Sequence, residues 1–188
     1  SIGLLDNHHT LAERLSALTA DLMVEAMPLI ESAGHGSEHE RRARLKLIDQ
    51  ADRPGEASYA RMLSKQDHQI DWSASALTIH RKVMALYPNA VTIWNDKRLK
   101  LLHCEPLIER LREELPAEIH PLIGRWPTGD HPPGIVLGTE KGLGIVVSTS
   151  GCPILVRAAQ LEGKGRSQSD SLLQQLNAQP QQQFGTFT

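Results

Sequence analysis

The sequence predicts an α+β protein: a long amphipathic helix, a charged connector, and then a small five-stranded β unit with flanking helices. Three observations carry this. Leu11, Leu15, Leu18, Leu22, Ala26 and Leu29 recur at three- and four-residue steps and form one apolar stripe. The stretch from 34 to 72 is rich in charge and holds no sustained period. Beyond Pro88, short runs rich in β-branched residues alternate with Gly, Asn and Asp turn signals.

Composition narrows the function classes. At 188 residues the chain holds one ordinary domain, or one small domain with appendages. A formal net charge of −2 gives no global nucleic-acid signature, so any RNA contact must come from a local basic face. Aromatic residues make up 4%, too few for a platform that stacks successive bases. No apolar run reaches the length of a membrane span. Cys104 and Cys152 stand alone, which points to a reducing, cytoplasmic setting. The start, Ser1-Ile2-Gly3-Leu4-Leu5, has no initiating Met and no basic n-region, and is expected to be the beginning of a fragment.

The first helix is expected over residues 10 to about 32. Thr10 and Glu13 supply a capping-box pattern, Pro28 falls near the last turn, and Gly34 closes it. Residues 34 to 58, including Glu40-Arg41-Arg42-Ala43-Arg44-Leu45-Lys46, mix both signs and read as a solvated surface segment. From Tyr59 to Trp72 the chain reads as a strap: Tyr59, Leu63, Ile70 and Trp72 anchor it while Arg61 and Lys65 stay in solvent. Ser73 is the expected N-cap of a helix carrying Ala76, Ile79, His80, Val83 and Met84 and ending before Pro88. Arg81 and Lys82 lie beside its apolar stripe.

The strands follow. Ala90–Trp94 and Leu99–Cys104 are joined by the Asn95-Asp96 turn, with Lys97, Arg98 and Lys100 on the returning arm. Pro106 to Leu115 is acidic and helical in composition, and Trp126 to Gly134 is a Pro- and Gly-rich loop. Together they read as an insertion in a hairpin connection. Runs at 134–138, 143–148 and 152–158 complete five strands. Five short strands suit a partly open barrel of the oligonucleotide/oligosaccharide-binding (OB) type, with a plain sandwich as the alternative. Lys164 and Arg166 follow the last strand, Ser167 is expected to cap a helix through Leu176, and the Gln-rich residues 177–188 are expected to be disordered.

Site chemistry is sparse. Nine histidines are scattered rather than convergent, so no metal site is expected. There is no Gly-rich phosphate loop, no Ser nucleophile elbow and no recognisable Cys/His pair. Asp6 reads as a turn residue ahead of the first helix.

The strap carries a family resemblance. Tyr59-Ala60-Arg61-Met62-Leu63-Ser64-Lys65, leading into Ile70-Asp71-Trp72, resembles the linker of methionyl-tRNA formyltransferases. The similarity continues through Ser73, Ala76, Ile79, Arg81, Ala85, Leu86 and Pro88, then through the strands to Gln160-x-x-Gly163-Lys164. The charged segment 34–58 departs from the family, and Gly165 separates basic residues that are usually adjacent. The resemblance implies that 1–33 closes a truncated Rossmann-like catalytic domain, 34–72 is the linker, 73–176 is an OB-like tRNA-binding domain and 177–188 a tail. It implies formyl transfer from 10-formyltetrahydrofolate to initiator methionyl-tRNA by a cytoplasmic monomer. The family's catalytic Asn-x-His pair and Asp belong to the domain upstream, and no Asn-x-His occurs here. No catalytic residue is therefore carried over, the chain alone is expected to be inactive, and the folate donor is expected to be held by the missing part. The expected tRNA face consists of Arg61, Lys65, Arg81, Lys82, Lys97, Arg98, Lys100, Lys164 and Arg166. The alternatives are an amino-sugar formyltransferase, a folate-dependent formyl-group hydrolase, and a non-catalytic nucleic-acid-binding barrel.

Overall fold

The computed structural model describes residues 1–185. Its contacts divide the chain into two compact units, one of Thr10–Met62 and one combining Ser1–His9 with the chain from Leu63 onward. This differs from the expected division at 33 and 72. The first nine residues group with the β unit, and the break in the connector falls within the strap.

In the Thr10–Met62 unit, helix α1 (His8–Ser32) runs through Pro28. It begins two residues ahead of the expected Thr10 cap, and the His9 N–H donates to Asn7 Oδ1 at 2.9 Å. An Asx turn takes the place of the Thr10 cap. Leu15, Leu18, Leu22 and Leu29 are each more than half exposed, so the stripe that makes the helix legible has no cover within its unit. The charge run folds further than expected, into helix α2 (Glu38–Arg44). Ser37 and Glu40 form a capping box, and the Ser37 bonds hold the Glu40 carboxyl below the usual carboxylate range. Arg44 Nη1 donates to the carbonyls of Ala33 and His35 at 2.5 and 2.9 Å, which ties the helix back to the end of α1.

The strap anchors at one end only. Ile70 and Trp72 are buried, whereas Tyr59 is 91% and Leu63 60% exposed. Ile70 N–H donates to Val91 O at 2.8 Å, and the Trp72 indole N–H donates to Thr92 Oγ1 at 2.9 Å. Gln69 forms a parallel bridge to Val91, and among the described residues no strand residue bridges the strap upstream of it.

Helix α3 (Ala76–Ala85) is capped by Ser75, whose hydroxyl accepts from Thr78 N–H at 3.2 Å. Ser73 is not the cap, because its N–H and hydroxyl donate to the Asp71 carboxylate at 2.9 and 2.6 Å. The β unit contains six strands rather than five: β1 (Ala90–Trp94), β2 (Lys97–Pro106), β3 (Val136–Glu140), β4 (Gly144–Val147), β5 (Ile154–Leu161) and β6 (Arg166–Gln168). The order is β1-β2-β5-β4-β3, with β6 on β5, and every pairing is antiparallel. Asn95 and Asp96 have φ of 47° and 61°, the left-handed pair that a two-residue hairpin with matching twist requires. Irregular register around Leu101–Cys104 on β2 curves the β2/β5 ladder. At Gly144 (φ +152°) a Cβ would sit 2.1 Å from Val156 O, so only glycine lets β4 start there. Helix α4 (Ser169–Leu176) begins later than expected. Ser167 is not its cap: it is buried in β6 and donates to Gln175 Oε1 at 2.9 Å.

The inner face carries the main core, from Ile70, Trp72 and Val83 through Leu99, Leu101, Ile145, Val156 and Leu172. The insertion is not a bare loop. Two short 3-10 segments, Glu109–Glu114 and Ala117–Leu122, pack Leu115, Ile119 and Leu122 on Val146 and Leu155, with Leu4 and Leu5 against the same cluster. Buried His80 joins the two layers, with Nδ1 2.7 Å from Cys104 O and Nε2 2.7 Å from Leu4 O.

The C-terminal segment is the largest correction. Residues 177–185 were expected to be disordered, yet they bridge the free edges of β1 and β3. Gln181 N–H donates to Val136 O at 2.9 Å, Phe184 N–H to Gly134 O at 2.8 Å, and Gly185 N–H to Ile93 O at 2.9 Å. Phe184 is 2% exposed, with its ring 5.2 Å from that of Trp72 and 4.5 Å from that of Trp94. One aromatic residue repays the ordering of a glutamine-rich segment. Residues 186–188 of the expected tail lie outside the described residues. Phe184→Ala is expected to lower stability by about 3–5 kcal/mol, read by urea unfolding. Hydrogen exchange at Gln181 and Gly185 should accelerate with it.

Candidate nucleic-acid interface

The basic residues of β2 and the β5–β6 hairpin are brought together by strand register. Lys100 pairs with Gln160, and Gln160 pairs with Arg166, so the three side chains form one row across β2, β5 and β6. This row lies opposite Leu99, Leu101, Ala159 and Leu161, which fill the core. Arg98 continues along β2, where its N–H donates to Glu162 Oε2 at 3.2 Å and its carbonyl accepts from Glu162 N–H at 2.8 Å. Arg98, Lys100, Gln160 and Glu162 line a small cleft of about 190 Å³. Lys97 starts the same strand, exposed, opposite Trp94. Gln160 Nε2 donates to Lys164 O at 3.0 Å and fixes the turn that carries Lys164. Arg166 is held in place: its Nη1 donates to Tyr87 Oη at 2.8 Å, and its guanidinium lies 5.6 Å from the Tyr87 ring centre.

The other expected residues sit elsewhere. Arg81 and Lys82 belong to α3, and Lys82 adds to the lowering of the Asp71 carboxyl that the Ser73 hydrogen bonds chiefly cause. Lys65 leads into the 3-10 turn Gln66–His68. Arg61 falls in the Thr10–Met62 unit, with Nη1 3.1 Å from Met62 O. Five of the nine cations thus lie on β2 and the β5–β6 hairpin, and four do not.

Sequence reasoning missed three participants. Tyr87 was visible only as a helix-ending residue before Pro88, and nothing local predicts its pairing with Arg166. Glu162 is an acid within the basic face, visible but assigned no role. The third is the pair Glu105 and Arg157. Glu105 is 1% exposed, and Arg157 Nη1 lies 3.5 and 3.4 Å from its two carboxylate oxygens. Arg157 Nη2 also meets Glu118 at 2.6 Å, and His103 Nε2 lies 3.2 Å from Glu105 Oε1. The network pins the insertion to β2 and β5. Beside it, burial and the Glu105 charge push the Cys104 thiol up, which leaves it inert. Among the described residues no group of three or more His, Cys, Asp or Glu is placed to hold a metal ion, and no helix is long and apolar enough to cross a membrane.

Residues 62–177, which contain the strap's buried end, α3, all six strands and α4, match the family model described as the C-terminal domain of formyl transferases. The chain belongs to that family. It is 84% identical over 187 residues to a protein of Synechococcus sp. strain CC9311 named methionyl-tRNA formyltransferase, covering 100% of this chain and 55% of that protein. Proteins of the same name from Synechococcus sp. strain WH7803 and Prochlorococcus marinus strain MIT 9313 are 60% and 51% identical, each over 185 residues. Those matches cover 98% of this chain and 53% and 54% of the two relatives. The chain spans about half the length of the relatives it matches. Its antiparallel sheet is consistent with the barrel-like C-terminal domain that the resemblance implies.

Arg157→Ala is expected to cost about 3–5 kcal/mol of stability, because Glu105 would be left charged, buried and without its guanidinium. Chemical denaturation checks this. Arg157→Ala/Glu105→Leu should recover part of the loss.

Proposed function

We propose that this chain is the C-terminal portion of a methionyl-tRNA formyltransferase, the activity named for its relatives. The whole protein then transfers a formyl group from 10-formyltetrahydrofolate to the amino group of initiator methionyl-tRNA. In this reading α1 closes a Rossmann-like catalytic domain, which is why its leucine stripe is bare here. The β unit is of the OB type and holds the tRNA. The donor binds upstream and not to these residues, the chain alone is inactive, and the working protein is a cytoplasmic monomer.

The observation that carries the tRNA role is the row Lys100–Gln160–Arg166, with Arg98, Lys97 and Lys164 around it. Structured RNA is gripped mainly through phosphates, 2′-hydroxyls and shape, which requires exposed cations at backbone spacing rather than a base-reading motif. Adjacent strands lie about 4.8 Å apart, so Lys100 on β2 and Arg166 on β6, with neutral Gln160 between them, present two positive groups roughly 10 Å apart across the row. Arg61, Lys65, Arg81 and Lys82 extend the same role along the linker and α3.

The test is binding of this chain to initiator tRNA across a salt series. Affinity is expected to fall steeply with salt. Reversing Lys97, Arg98 and Lys100 to Glu together should weaken binding and reduce the log–log salt slope by about 2–3, the loss of three phosphate contacts. Unchanged affinity in the triple variant overturns the assignment of this face.

A further inference from the structure

Directly beyond Arg166, the outer face of the same three strands opens into a cleft of about 550 Å³. A second register row forms its floor, His103–Ala158–Gln168. Leu102 adds apolar surface, and Tyr87 and Arg166 stand at one wall. The volume lies within the roughly 300–1,000 Å³ typical of small-ligand sites. Among the described residues no carboxylate lines it. Among the described residues that line it, the one permanent charge is the Arg166 guanidinium, which is held by Tyr87.

We propose that this cleft receives one unpaired nucleotide of the bound RNA strand, with its base over Ala158 and Leu102 and its phosphate on Arg166. The inference rests on the tRNA reading above and makes it specific. Four observations converge on a nucleotide. The floor narrows to a single methyl at Ala158, between the polar side chains of His103 and Gln168, which leaves room for a planar base. A planar guanidinium held beside a phenol ring by a hydrogen bond is a surface on which a base packs. Arg166 lines a cleft with no carboxylate among its described lining residues, and a guanidinium there suits a phosphate. The Gln168 side chain brings an amide, a group able to donate and accept, to the lining. Arg166 also belongs to the basic row, so a strand whose phosphates follow Lys100 and Lys164 arrives at the mouth of this cleft. One nucleotide, not a stacked run, is what a chain with 4% aromatic residues can hold.

The test uses the 188-residue chain with two probes, adenosine 5′-monophosphate and inorganic phosphate, followed by amide chemical shifts, alongside initiator tRNA binding. The mononucleotide is expected to shift the amides of Tyr87, His103, Ala158 and Gln168, and phosphate alone to shift only those near Arg166. Ala158→Leu, which fills the floor and removes no charge, is expected to weaken mononucleotide binding about tenfold, on the scale of one lost base stack. The same variant should weaken tRNA binding with the salt slope unchanged. If Ala158→Leu does not fold, Gln168→Ala must weaken the mononucleotide in its place. No mononucleotide shifts at the cleft, or equal binding by the filled variant, overturns the proposal. If tRNA binds while the mononucleotide does not, the cleft assignment falls and the tRNA role stands. If the mononucleotide binds at the cleft while tRNA does not, the tRNA role falls alone.

Discussion

The β unit depends on one aromatic sandwich. Trp72 enters from the strap, Trp94 from the end of β1 and Phe184 from the C-terminal segment, and the three rings meet inside the open side of the sheet. The hydrogen-bonding path of the sheet ends at β1 on one side and β3 on the other, both edges that would otherwise offer bare backbone groups to solvent or to other chains. Phe184 draws the segment around it across that gap, and the backbone bonds to Ile93, Gly134 and Val136 follow. Trp72 and Trp94 also tie in polar groups, through Thr92 and the Leu176 carbonyl, so the sandwich joins the strap, β1, α4 and the C-terminal segment. Without it the sheet has two loose ends and the strap has no socket.

What the closed sheet provides is register. β2 is long and curved, and the rest of the ladder hangs on it. With β1 it makes a tight hairpin, and with β5 it sets which side chains share the outer face. Lys100 meets Gln160 and then Arg166 only because the pairings hold, and a one-residue slip would turn the row into the core. The basic face is thus a consequence of how leucines and valines are buried on the other side. The buried core and the basic face are two readings of one alternation.

Much of this was legible in the sequence, for identifiable reasons. The leucine stripe of α1, the α3 pattern ending before Pro88 and the Asn95-Asp96 turn are local signals, and each element appears where its signal lies. The cap moves by two residues at Ser73, to Ser75, and by one at Ser167, to Gln168, because the hydroxyls there found partners in Asp71 and Gln175. The failures are non-local. A Gln-rich stretch has the composition of a disordered tail, and only the position of Phe184 opposite two tryptophans orders it. The acidic insertion gains structure from Val146 and Leu155 behind it, and Glu105 is retained by an arginine 52 residues away. Of the site, the strand cations were recognisable as a basic hairpin. Their alignment with Arg166, and the clamp of Arg166 on Tyr87, exist only once β5 has paired on both sides.

The overall charge of −2 hides a sorting of charges along β5. Near Leu155 the outer face lies under the insertion, which carries Glu109, Glu113, Glu114 and Glu118. Near Gln160 the same face carries Lys100, Arg166 and the turn with Lys164. Five residues of extended chain separate the two ends by roughly 16 Å. That is about twice the screening length of roughly 8 Å at physiological ionic strength. The acids therefore do little to cancel the field at the basic end, and Arg157 holds Glu118 where it is. The single acid inside the basic face, Glu162, is engaged by the Arg98 backbone N–H, where it shapes the hairpin. One end of β5 thus gathers cations with little acid among them, while the insertion at the other end sets its glutamates beside Arg110, Arg112 and Arg157, a sorting that the net charge does not report.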